Sequence, residues 1–112
     1  MMSDEFVKVA QKADIPTGTA RVFKAFEKEI AVCNVEGEFY CIADICTHDG
    51  GPLGEGELDD DQIECPRHGA RFDVKTGKAL CLPAILPVPT YQIDVSGDDI
   101  WVATHATTSG AR

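Results

Sequence analysis

Basic residues are scarce in this chain. Ten Lys and Arg stand against 19 Asp and Glu, a formal net charge of −9. Nucleic-acid partners are disfavoured by that balance, because phosphate binding rests on Lys and Arg. An amphipathic helix of useful length is also missing, so strand signals carry the fold class. No apolar run approaches the roughly 20 residues of a membrane-spanning helix. The start, Met1-Met2-Ser3-Asp4-Glu5, has no basic segment leading into an apolar one, so neither a secretory leader nor an anchor is expected and the protein reads as cytoplasmic, with no membrane partner. The 112 residues, 44% hydrophobic and 26% charged, are ordinary for one globular domain.

What is present is a pair of short boxes. Cys46-Thr47-His48 is followed, sixteen residues on, by Cys65-Pro66-Arg67-His68. Each box offers one thiolate and one imidazole, so Cys46, His48, Cys65 and His68 are the candidate metal ligands. Two Cys and two His suit a Rieske [2Fe-2S] centre, in which two His replace two Cys on one iron. They also suit zinc, which accepts the same donors in a tetrahedron. Zinc fingers, however, pair Cys with Cys and His with His, whereas here each half repeats Cys then His. Cys41-x4-Cys46 begins like a plant-type ferredoxin spacing, but position 49 is Asp and that pattern fails.

These boxes, with Gly69 after the second, resemble the cluster-binding boxes of Rieske-type ferredoxins, the small electron carriers of bacterial aromatic-ring-hydroxylating dioxygenase systems. Pro83-Ala84-Ile85-Leu86-Pro87-Val88-Pro89-Thr90-Tyr91 is similar to the proline loop that covers the cluster in that family, and Thr76-Gly77 lies at the expected turn. The likeness runs from about Phe6 to Ala103. It implies one 2Fe-2S cluster, with Cys46 and Cys65 on the inner iron and His48 and His68 on the outer. It also implies a non-enzymatic one-electron carrier, taking electrons from a flavin-dependent ferredoxin reductase and passing them to a terminal non-heme iron oxygenase. Other readings are a zinc-stabilised binding module on the same ligands, and a small subunit resembling that of nitrite reductase, which shares the fold but lacks the ligands. Compared with high-potential respiratory relatives, Gly51 and Arg67 stand where two disulfide cysteines would be, and Ala70 and Phe72 where hydroxyl residues would donate to sulfur. The resemblance therefore implies a low potential within the Rieske range of about −150 to +300 mV.

The fold expected is all-β, with about nine or ten short strands. Candidate strands are Phe6–Ala10, Thr19–Phe26, Glu29–Val35, Glu38–Ala43, Gln62–Glu64, Ala70–Val74, Tyr91–Val95 and Ile100–Ala103, with Glu36-Gly37 as a hairpin turn. The resemblance implies a Rieske-like fold in which antiparallel sheets form a base around a small inserted cluster-binding subdomain. The single domain is 1–112, the subdomain spans about 44–90, and a polar tail over 104–112 is expected to fray.

Some residues admit two readings. Five cysteines in a cytoplasmic chain are expected to be reduced. Cys33 and Cys41 sit in apolar runs and read as small buried hydrophobes. Cys81 either approaches the cluster or packs as an inert thiol. Glu55, Glu57, Asp59, Asp60, Asp61 and Glu64 crowd between the boxes, as a docking field for a basic partner or as a solvated loop. Arg67 and Arg71 either attract an acidic partner or hold that loop. Leu53 is either a lid over the cluster or a packing contact, and His105 reads as a solvated residue.

Overall fold

The computed structural model describes residues 6–25, 28–44, 56–65, 69–81 and 87–108. Among the described residues ten strands follow in order: β1 (Phe6–Gln11), β2 (Ala20–Ala25), β3 (Lys28–Val35), β4 (Glu38–Ala43), β5 (Leu58–Asp59), β6 (Gln62–Glu64), β7 (Arg71–Asp73), β8 (Ala79–Cys81), β9 (Thr90–Ser96) and β10 (Asp99–Thr108). A 3-10 turn, Lys12–Asp14, follows β1 on the way to β2.

The strands form two antiparallel sheets. Six make a base in the order β1-β10-β9-β4-β3-β2, and four make a smaller sheet in the order β5-β6-β7-β8. The smaller sheet is inserted between β4 and β9, which pair directly through Cys41↔Tyr91 and Ile42↔Thr90. The insertion thus leaves the base and returns to it beside its own point of departure.

Local chemistry accounts for the hairpins. Glu36 and Gly37 both have positive φ, 53° and 92°, the two-residue geometry whose twist matches the flanking strands. That turn sets the β3–β4 register from Val35↔Glu38 to Ile30↔Ala43. In β3, five successive residues from Ile30 to Asn34 are buried, so both faces of this strand are covered. Alternation is cleaner in β6 and β7. Ile63 and Phe72 stand opposite each other and are fully buried, while Gln62, Glu64, Arg71 and Asp73 on the other face are half-exposed. Fully burying a side chain of this size stabilises the fold by roughly 1.5–3 kcal/mol.

β5 and β8 lie outside the expected strands. Neither is longer than three residues, and both are edge strands held by pairing with β6 and β7. β10 also runs on to Thr108, five residues into the stretch expected to fray. Beyond a register shift after Val102, it pairs again at Ala106↔Tyr91 and Thr108↔Thr90.

Asn34 is one of two buried polar residues among those described, and it joins three segments. Its Nδ2 donates to the Ile15 carbonyl at 2.8 Å, and its Oδ1 accepts from the Gly37 N–H at 2.8 Å. Its backbone N–H donates to Thr19 and its carbonyl accepts from Gly18. Ile15 is fully buried, so no water replaces a lost donor there. Asn34→Ala should lower unfolding free energy by about 1–3 kcal/mol in urea titrations, the cost of stranding a buried polar group.

Cys33 and Cys41 are buried free thiols, as expected of them. Burial pushes the Cys33 thiol from 9.0 up to about 12, and pushes Cys41 higher still, with Cys33 adding to the effect. The folded chain therefore keeps these protons where the unfolded chain has lost them. Their contribution to stability is complete below pH 9 and declines as pH rises towards 12. Each slope is about 1.4 kcal/mol per pH unit. Denaturation between pH 9 and 10.5 should show Cys33→Ala losing stability with pH less steeply than wild type; equal slopes would contradict the assignment.

Candidate metal centre

The site is built on β6 and β7. Cys65 follows β6 directly and continues the buried face of Ile63 by the two-residue period of a strand, with 1% of its surface exposed. Its N–H donates to the Ala70 carbonyl at 2.6 Å, and its carbonyl accepts from the Gly69 N–H at 3.0 Å. Gly69 has φ 77°, which suits glycine at the end of such a turn. These two bonds close a tight connection with three residues between Cys65 and Gly69. Cys65 therefore stands at a rigid strand end, on the same face as Ile63, Phe72 and Ala70, all fully buried.

Cys65 is the only one of the four candidate ligands among the described residues. Cys46, His48 and His68 lie outside them, as do Leu53 and Arg67 and the side chains of Cys81 and His105. Strand register nonetheless brings the ends of the flanking segments together. Glu57, just after the first box's segment, accepts the Glu64 N–H at 3.0 Å. Cys81 pairs with Arg71, next to Ala70. Glu57 and Cys81 are thus paired to the residues that adjoin Cys65 and Ala70.

The opposite face of the small sheet is charged. Arg71 donates to Glu64 Oε1 at 3.1 Å, Gln62 Oε1 at 3.2 Å and Asp59 Oδ2 at 3.4 Å, tying β7 to β6 and β5. The Asp59 hydrogen bond, followed by the charge of Glu64, raises the Arg71 pKa. Lys75 Nζ lies 3.7 Å from Asp61 Oδ2. Asp59, Asp61 and Glu64, of the carboxylates described between the boxes, are therefore engaged within the molecule. Arg71 holds the acidic hairpin, the structural alternative of the two. Spacing alone could not have found this hub; it depends on the β5-β6-β7 register. An open groove of about 790 Å³ runs past this face and the neighbouring β2 edge, lined in part by Arg21, Glu57, Asp59, Glu64 and Arg71.

The donor set suits an iron–sulfur group. A buried charge is tolerated only when paired or bound to metal, and a thiolate at Cys65 would find that partner in a metal cation.

Comparison with known proteins identifies the group. The Rieske [2Fe-2S] domain family matches residues 5–92. The 3-phenylpropionate/cinnamic acid dioxygenase ferredoxin subunit of Escherichia coli (strain K12) is 50% identical over 91 residues, covering 80% of this chain and 85% of that protein. Among solved structures, the complex of reduced oxygenase and oxidized ferredoxin in carbazole 1,9a-dioxygenase contains a chain matching at TM-score 0.88 and 33% identity, covering 96% of this chain and all of that one. The ferredoxin of carbazole 1,9a-dioxygenase from Nocardioides aromaticivorans IC177 matches at TM-score 0.86 and 34% identity, covering 89% and 98%. A nitrite reductase small subunit at 15% identity shares the fold alone. The family's cofactor is one [2Fe-2S] cluster, which decides against zinc on the same ligands. The buried cysteine at the β6 end, the two Cys/His boxes and the near full-length match converge, and the chain belongs to the Rieske [2Fe-2S] domain family as a ferredoxin, an electron-transfer component and not an oxygenase.

Proposed function

We propose that this ferredoxin takes single electrons from a flavin-dependent reductase and delivers them to a terminal non-heme iron oxygenase, with Cys46, His48, Cys65 and His68 as the cluster ligands. The observation that carries the ligand reading is Cys65, buried at the strand end with both its backbone groups hydrogen-bonded. The delivery partner is supported by relatives named as dioxygenase ferredoxins and by a matching ferredoxin crystallised with its oxygenase. The cluster, when bound, takes up and releases one electron. What the chain supplies is position: the β6–β7 pairing anchors Cys65, and the Arg71 hub ties down the acidic hairpin leading from β5 into that strand. Residues of about 44–90 form the cluster-bearing unit in this reading.

A low potential follows from the side chains around Cys65. Ala70 and Phe72 lie on its buried face, and neither has a hydroxyl to donate to sulfur. Without such donors the reduced, more negative cluster is less stabilised.

Two measurements test this reading. Cys65→Ser should abolish iron binding, whereas Cys33→Ala should keep two irons per chain and a rhombic electron paramagnetic resonance signal of low average g after dithionite reduction. Iron retained by Cys65→Ser would remove that cysteine from the ligand set. In redox titrations, wild type should sit low in the Rieske range, and Ala70→Ser should raise the midpoint by about 60 mV, tenfold in the one-electron equilibrium. Phe72→Tyr should act in the same direction. A clearly positive wild-type midpoint would refute the low-potential assignment.

A further inference from the structure

We propose that Arg71 is a positioning residue for the redox centre: by holding Glu64 and Asp59 it offsets their negative charge beside Cys65 and so favours uptake of the electron. The proposal rests on the ligand reading above.

Glu64 and Arg71 stand opposite each other across β6 and β7. Each adjoins the backbone of the candidate ligand. Glu64 precedes Cys65 in the chain, one Cα–Cα step of about 3.8 Å away. Arg71 follows Ala70, whose carbonyl accepts the Cys65 N–H at 2.6 Å. Successive strand residues point to opposite faces, so this charged pair lies directly behind the strand end whose other face carries Cys65.

The guanidinium serves three acceptors at once. Its Nη1 donates to Asp59 Oδ2 at 3.4 Å and to Gln62 Oε1 at 3.2 Å, and its Nη2 donates to Glu64 Oε1 at 3.1 Å. Two of those acceptors are carboxylates on β5 and β6. Lys75 lies against Asp61 instead, at 3.7 Å, so loss of Arg71 leaves the charges of Glu64 and Asp59 uncompensated. The Arg71 and Glu64 side chains are 35% and 39% exposed against 71% for Asp59, so water screens their charge less completely. Reduction adds one negative charge to an iron–sulfur centre, and the charge around such a centre is among the factors that set its potential. A cation held beside Cys65 favours that step, and an uncompensated carboxylate there opposes it. Ion pairs as open as these contribute little to stability, so placement of charge is what the three-way grip of Arg71 supplies.

The test compares midpoint potentials of Arg71→Gln, Glu64→Gln, the variant combining both, and Lys8→Gln, each iron-loaded and full length. Lys8 pairs with Asp99 at 3.2 Å on the β1 edge of the base sheet. Its loss changes net charge as much as Arg71→Gln does, but in the other sheet. We expect Arg71→Gln to shift the one-electron equilibrium several-fold towards the oxidised form and Glu64→Gln to shift it towards the reduced form. The combined variant should return most of the way to wild type, with Lys8→Gln unchanged. In about 1 M salt, where the screening length falls to about 3 Å, Arg71→Gln should move back towards wild type. A purely structural role gives a different pattern: both single variants move in one direction, and neither the combination nor salt restores the midpoint. That pattern, or equal midpoints for Arg71→Gln and Lys8→Gln, overturns the proposal. Should Arg71→Gln not fold, Glu64→Gln decides. A midpoint above wild type at low salt that converges with it in about 1 M salt supports the proposal, and an equal or lower one refutes it. Wild-type protein without iron would instead mark failure of the ligand reading.

Discussion

Everything around Cys65 depends on the pairing of β6 with β7. Those two strands are three residues each, yet their register puts Ile63, Cys65, Ala70 and Phe72 on one face and Glu64 and Arg71 on the other. A slip of one residue would exchange the two faces, sending Cys65 to the charged side. Three devices guard against that slip. The Cys65–Ala70 and Gly69–Cys65 hydrogen bonds close the connection, Phe72 and Ile63 are fully buried opposite one another, and Arg71 bridges to partners on β6 and β5.

Burial and charge are arranged separately. The apolar face of the small sheet belongs to the core and to the cysteine, while its acidic face opens on the groove beside β2. Arg71 and Lys75 draw in part of that negative charge without cancelling it. The pairs are largely exposed, so their role lies in geometry more than in stability. A chain with net charge −9 keeps a long-range field through such a face, which influences the rate of encounter with a charged partner more than the strength of the final complex.

Cys33, Cys41 and Cys65 share burial but not circumstance. Cys33 and Cys41 lie within long paired strands, where desolvation holds them as thiols. Cys65 is equally buried but stands at the end of β6, its N–H bonded to Ala70 and its carbonyl to Gly69. Burial alone therefore does not separate these cysteines; their place in the strands does. For a similar reason the Pro87–Pro89 stretch is more than a chain reversal. With one donor and one carbonyl it links the two sheets at the point where the insertion rejoins the base.

The residues themselves were enough to read an all-β chain, the Glu36-Gly37 hairpin, the long strands β3, β4 and β9, and the two Cys/His boxes. Those features are local: alternation, turn geometry and ligand spacing are written within a few neighbouring positions. The strands β5 and β8 were not legible, because two or three residues carry no period and exist only by pairing with β6 and β7. Nor was the extension of β10 through Ala106–Thr108, which follows from the partner strand β9. The sixfold order of the base, the Arg71 hub, the Asn34 staple and the closeness of Gly77 to Val88 were decided by tertiary structure alone. Each joins residues distant in sequence, and no local pattern encodes which backbone groups will meet once two sheets are packed.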